Sequence, residues 1–363
     1  MGAHVASLDE IKFQRAELAL SGLREFLAEP LPTPSGGNAS AVSEDAGTLE
    51  WAVEVAGGTL TFLLGQIRRP GHHSLTFERQ ALLSIELAAA ASYSAWEEQW
   101  VQPLLNLLRF ATREPATVES FTAISTDGQR HEVEFIRPYA DLLRAELRHG
   151  YKRMLLSAGV LGDDFAPAVA RWWELDARLG RGGDLLFAML NSRGYADAQL
   201  VTLASVAESY SRAVGDSPPL TEEEHSALVA RMLAALDDDA QRQVYAAALR
   251  FANGDPLRER LRLLVRRAGE VVDEFSRKGG RLANRVADTR DDLVHLPAEE
   301  WRPLIGTDLV EASALLVLVL QINLLLDLEL APDHVRHLVT ESYGQQTLWG
   351  RLRRRGHAWP KGA

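Results

Sequence analysis

The sequence predicts an α+β protein: an N-terminal mixed β-rich domain with a packed helix, followed by an all-α helical bundle. Three observations carry this. Between residues 49 and 136, short apolar runs of strand character are separated by turn residues. From Asp163 onward, apolar side chains recur at helical spacing without a strand-like interruption. The chain has 363 residues, long for one core and suited to two. The expected division is residues 1–150 for the β-rich domain and 151–363 for the helical one, with the boundary between Pro138 and Gly183.

In chain order, Ile11–Leu27 reads as an amphipathic helix, because Phe13, Leu18, Leu20, Leu23, Phe26 and Leu27 fall near a helical period. Residues 29–47 are rich in Pro, Gly and Ser and poor in apolar side chains, the composition of a mobile loop. Strand-like runs follow at Leu49–Val55, Leu60–Gly65, Ser74–Arg79 and Leu82–Leu87, with Gly57-Gly58 as a turn. Trp96–Ala111 is a helix, with Trp100, Leu104, Leu107 and Leu108 on its buried side. Two further strand-like runs, Val118–Ile124 and Glu132–Ile136, flank an Asp127-Gly128 turn. These runs make a small mixed sheet with at least one helix on it.

The helical half divides into Asp164–Leu179, a short piece at Leu185–Ala188, Tyr195–Val214, Thr221–Leu236, Asp239–Ala252, Leu257–Lys278, Arg281–Leu296, Thr307–Leu330 and Ala331–Leu352. Thr221 and Glu224 have the spacing of a capping box, in which each side chain satisfies the other's orphan backbone donor. Gly279-Gly280 interrupts what is otherwise one long helical pattern. No internal repeat is visible.

Composition narrows the chemistry. No cysteine is present, which excludes disulfides and cysteine-based zinc or nucleophile chemistry and fits a reducing cytoplasm. The N-terminus lacks a basic stretch followed by an apolar core, so no signal peptide is expected. The apolar run Ala314–Leu326 is too short to span a bilayer and carries Gln321 and Asn323, so it reads as a buried helix and no membrane partner is expected. A net charge of −11 argues against general nucleic-acid binding, which phosphate contacts drive. Local balance differs: from Leu257 to Arg290 there are ten basic residues against five acidic ones. That stretch is either a solvated, salt-bridged face or a basic approach to a site.

The basic stretch ends in Arg290-Asp291-Asp292-Leu293-Val294-His295. A guanidinium, a neighbouring carboxylate and an imidazole on one helical segment suit phosphodiester cleavage by a substrate's own 2′-OH. The imidazole moves protons near neutral pH, and the guanidinium holds charge building on phosphorus oxygens. Five residues of α-helix rise about 7.5 Å and turn through roughly 140°, so Arg290 and His295 sit on different faces. Either the segment bends, or a second copy of the chain supplies the complement. A purely structural reading stays open, with Arg290 paired to Asp291 or Asp288 and His295 capping its helix.

With an apolar helix before it and a longer one after it, this segment resembles the Arg-polar-x-x-x-His motif of the HEPN superfamily, most closely its ApeA-like branch. Relatives usually carry Asn after the Arg, where this chain has Asp291. The likeness covers roughly residues 185–345, and the N-terminal half is similar in pattern to the ApeA-type β-rich domain. The resemblance implies a prokaryotic antiphage defence (abortive infection) protein, a cytoplasmic homodimer joined through the HEPN domain that cuts RNA without metal or other cofactor. It gives His295 the role of general acid or base and Arg290 that of charge stabiliser. Asp291 would orient either one or hold the 2′-OH. Glu208 looks like the acidic residue of an early HEPN helix that reaches the motif Arg, or else forms a structural salt bridge. The substrate so implied is tRNA or another structured RNA, and a phage trigger or a separate antitoxin is a further partner. A non-catalytic HEPN module binding RNA, nucleotide or protein is the alternative.

Other candidates carry less. His334 and His337 have the i, i+3 spacing of helix metal ligands, but only Asp333 and Glu341 lie near them in sequence. His72-His73 follows Pro70-Gly71 in a turn without a partner. Gly180–Asp184 lacks the Lys-Ser/Thr of a phosphate loop. The basic, aromatic stretch Trp349–Pro360 fits either an RNA contact or a solvated terminus.

Overall fold

The computed structural model describes residues 10–28, 48–70, 75–124, 129–133, 154–190, 195–215, 220–250, 252–273, 279–295 and 304–344. The expected loop at 29–47, the His72-His73 and Asp127-Gly128 turns and the C-terminal tail lie outside them. The chain divides into two compact units. One is Met1–Arg193 with Leu324–Gly350, and the other is Gly194–Asn323 with Arg351–Ala363.

The first unit is built on six strands: β1 (Lys12–Leu20), β2 (Leu49–Val55), β3 (Gly58–Pro70), β4 (Leu75–Ser92), β5 (Val118–Ile124) and β6 (Arg130–Glu132). They form one sheet in the order β2-β3-β4-β1-β5-β6, antiparallel in every pairing. One face is apolar with period two: Ala16, Leu18 and Leu20 on β1, Leu60, Phe62 and Leu64 on β3, and Leu83, Ile85 and Leu87 on β4 are all buried. The runs expected at 74–79 and 82–87 are one strand, because β3 and β4 pair continuously from Gly58↔Leu87 to Pro70↔Leu75.

The expected helix at Ile11–Leu27 is a strand, a turn at Gly22 and the short helix α1 (Leu23–Leu27). The register of β1 against β4 shifts between Phe13 and Arg15. That irregularity sets the buried Phe13 and Ala16 three residues apart, as on a helix, before period two resumes at Leu18 and Leu20. Gly22 then turns the chain at φ 83°, a conformation glycine adopts without strain.

Between β4 and β5 the chain is helical: α2 (Tyr93–Trp96), a wider π turn at Glu97–Val101, and α3 (Gln102–Thr112). Beyond β6 come α4 (Ala158–Leu161), a 3₁₀ turn, α5 (Phe165–Leu179), and α6 (Arg181–Leu190), which is longer than the short piece expected. These helices join the sheet through aromatic rings. Trp96 stacks on Phe13 with centroids 4.8 Å apart and donates its indole N–H to the Phe13 carbonyl at 3.0 Å. Phe165 of α5 packs among Trp51, Phe62 and Phe26. Trp172 stacks on Phe110 and donates to the Pro103 carbonyl at 2.9 Å. These two fully buried indoles thus each pair their one polar atom.

The remaining helices are α7 (Ala196–Gly215), α8 (Glu222–Ala234), α9 (Asp239–Leu249), α10 (Leu257–Asp273), α11 (Gly279–His295), α12 (Gly306–Asp327) and α13 (Pro332–Gly344). α8 starts with the expected capping box of Thr221 and Glu224. α10 departs from helical geometry at Gly269. Residues 274–278 of the expected helix lie outside the described residues, and Gly279 and Gly280 belong to α11.

α12 is mostly apolar, and beyond its exposed first turn most of it is buried on every side, as such a surface requires. Its 22 residues are long and apolar enough to cross a membrane, which the shorter run seen in sequence is not, but 78% of its most apolar window is buried inside the protein. It is a core helix. The amide of Asn323, fully buried, donates to the carbonyls of Leu264 and Val319 at 3.0 and 2.8 Å.

Candidate active site

Three helices of the second unit, α7, α10 and α11, pack against one another. Each contributes a stripe at helical spacing: Leu203, Ala207 and Tyr210 from α7, Leu261, Leu264 and Ala268 from α10, and Leu282, Val286 and Thr289 from α11, all buried. Thr289 is the polar member of its stripe. Its hydroxyl accepts a 3.0 Å hydrogen bond from the Leu304 N–H, so the chain entering α12 is tied to α11 one residue before Arg290. Sequence reading passed over this threonine, although its place directly before the Arg was a usable signal.

Arg290 stands one turn on from Ala287 and two from Ala283, both buried, so its stem rises from the packed side of α11. Its side chain is 27% exposed, and Nη1 donates to Asp291 Oδ1 at 3.0 Å. Nε is buried and has no hydrogen-bond partner among the described residues. One donor edge of the guanidinium therefore remains for a further acceptor, in a place where an unmade hydrogen bond is costly.

His295 is the last described residue of α11, which is helical from Gly279. At about 100° per residue, the His295 position falls on the polar stripe of Asn284, Asp288 and Asp291, away from that of Arg290. No bend within α11 brings the two together.

The polar stripe faces arginines of α10. Arg258 Nη2 bonds Asp288 Oδ1 at 2.5 Å, and Arg262 Nη2 donates to Asn284 Oδ1 at 2.7 Å while Arg262 also pairs with Glu259. A pocket of about 320 Å³ lies here, lined by Arg258, Glu259, Ala287 and Asp291 among others. Half of the basic stretch's uncertainty is thereby resolved: Arg258 and Arg262 form salt bridges, and both border the helix that carries the motif.

Glu208 pairs with Arg212 at 2.6 Å, one turn along α7. Beside them is Arg260, 2% exposed, whose Nε donates to the Asp255 carbonyl at 2.7 Å. Burial holds the Arg260 guanidinium below its usual pKa, Arg212 acts in the same direction, and Glu208 opposes both. The salt-bridge alternative for Glu208 is thus the one seen, and the i, i+4 spacing of Glu208 and Arg212 was its signal. His334 and His337 both lie on α13, where Asp333 pairs with Arg336 at 3.2 Å.

An antiparallel sheet domain is thus followed in the chain by a helical region that carries Arg290, Asp291 and His295 on one helix. Residues 1–172 match the ApeA N-terminal domain 1 family, and residues 201–334 match the Apea-like HEPN family. Taken together, the two matches show the ApeA-type architecture, a sheet domain followed by an Apea-like HEPN domain. No curated protein and no solved structure matches it.

Proposed function

We propose that the chain is a metal-independent endoribonuclease of a prokaryotic antiphage defence (abortive infection) system, working in the cytoplasm as a dimer. The observation that carries this reading is the placement of Arg290 and His295 on one unbroken helix of a HEPN domain, with Arg290 keeping an unpaired buried donor. The substrate's 2′-oxygen attacks the adjacent phosphorus, the P–O5′ bond breaks, and the products are a 2′,3′-cyclic phosphate and a 5′-hydroxyl. The substrate supplies its own nucleophile, so the protein must supply proton transfer and charge stabilisation.

His295 takes the proton transfer. In its protonated form the imidazole delivers a proton to the leaving 5′-oxygen. Arg290 holds the charge on the non-bridging oxygens. Asp291 fixes the Arg290 guanidinium through the 3.0 Å bond. Because roughly 140° of helix separates the two key positions, a two-fold dimer that sets α11 near its axis supplies the missing convergence, each His facing its partner's Arg. The arginines of α10 beside the motif give an RNA backbone its approach.

A second reading, a non-catalytic HEPN module binding RNA, nucleotide or a partner such as an antitoxin, draws on one observation: Arg290 is largely covered and already paired with Asp291. Incubating the pure protein with total RNA in EDTA, beside His295→Ala, separates the two. Cleavage by the native chain and loss of cleavage in the variant is the expected result. Equal RNA patterns from both would leave the binding reading.

A further inference from the structure

A pocket of about 920 Å³ lies within the first unit, in the domain for which the nuclease reading gives no ligand. Its size is at the upper end of the roughly 300–1,000 Å³ typical of ligand sites. Part of the wall is apolar, from Trp100, Pro103 and Trp173, the two indoles lying 5.7 Å apart at 42°. Around them stand six carboxylates, those of Glu54, Glu98, Glu174, Asp176, Asp327 and Glu329, against two guanidiniums. One of these, Arg171, is already shared between Glu174 and Glu329 at 3.0 Å each. The pocket thus carries a surplus of negative charge over an aromatic wall.

Asp176 is held in place from behind. The fully buried Asn106 donates to its Oδ1 at 3.1 Å and to Asp184 Oδ1 at 2.9 Å, while Gln102 donates to Asp184 at 3.2 Å. Burial pushes the Asp176 carboxyl up to about 6, Asn106 opposes this, and Asp184 adds to it. A carboxylate that is costly to ionise at the wall of an open pocket is one that a cation would stabilise.

We propose that this pocket receives an arginine-bearing segment of a partner polypeptide. A guanidinium matches carboxylates two bonds at a time and lies flat against indoles, which a compact ammonium does not. Two features favour a polypeptide over a free small cation. The pocket is larger than one side chain needs, and its wall includes Glu54 and Val55, the end of β2. β2 is an edge strand that pairs only with β3 among the described residues, leaving main-chain groups for an extended segment to bond.

The test is calorimetric titration of the full chain with capped hexa-arginine at physiological salt, where attraction between distant exposed charges is screened. Glu98→Lys, at an exposed position, and Ala177→Arg, which fills the pocket from α5, should each weaken binding by about tenfold or more. Glu222→Lys, on the acidic start of α8 in the other unit, should leave it unchanged. Absence of binding, or an equal loss in Glu222→Lys, would overturn the proposal, the latter because it reports general attraction to an acidic chain. Spermidine or arginine amide binding as tightly as the peptide would overturn the polypeptide assignment and leave a small organic cation as the occupant.

Discussion

The proposed chemistry places the reactivity on Arg290 and His295. Arg290→Ala and His295→Ala should each lower RNA cleavage by roughly 100-fold or more, the range that acid–base and charge-stabilising groups supply. Gel-resolved rates on one RNA would measure this. Arg290→Ala should cost no more than about 1–2 kcal/mol in denaturant midpoints, since it loses a partly covered stem and one exposed pair. Asp291→Asn keeps an oxygen for the Arg290 Nη1 bond and should be milder in rate than either. Thr289→Val has the opposite profile. It removes the acceptor of the buried Leu304 N–H, so it should destabilise by about 1–3 kcal/mol while the folded fraction keeps its rate. A Thr289→Val protein of native stability would show that the Leu304 bond does not hold α11 to the following chain.

At the scale of elements, α5 carries a carboxyl whose titration falls near neutral pH. Asp176 ionises near 6 in the fold against 3.8 for the ordinary group, so the folded state binds more protons between those values. Stability therefore falls as pH rises through that window, and above pH 6 the ionised Asp176 costs about 1–3 kcal/mol. Asp176→Asn should remove most of this slope and raise stability at pH 7, read as urea midpoints at pH 4, 5, 6 and 7. An unchanged slope would show that Asp176 is solvated.

The helices and the β-rich order were legible in the sequence because amphipathic stripes such as Leu282–Val286 and alternations such as Leu83–Ile85–Leu87 follow directly from one-sided burial. β1 was not, because its register shift places Phe13 and Ala16 at a helical spacing, and only the partner strand reveals the irregularity. Of the site, the motif and its place on one helix were legible. The Thr289–Leu304 bond, the pairing of Asp288 with Arg258 and the Asp176–Asn106–Asp184 cluster were not, since each joins residues whose proximity only the tertiary fold creates.

At the scale of the whole molecule, an ApeA-type sheet domain with its own candidate pocket precedes an Apea-like HEPN domain whose proposed site is completed by a partner copy. An RNA with a single 2′-deoxy sugar at the cut site should be inert there, because the nucleophile is gone, and cleavage of single-stranded DNA at a comparable rate would contradict the chemistry. The composite site is the central claim, and a heterodimer of Arg290→Ala with His295→Ala tests it most directly. If each site takes Arg290 from one protomer and His295 from the other, one site loses both groups and the second keeps both, so the heterodimer should cleave at about half the native rate. If each protomer builds its own site, every site lacks one group. A heterodimer as slow as the two single-variant homodimers would contradict the account.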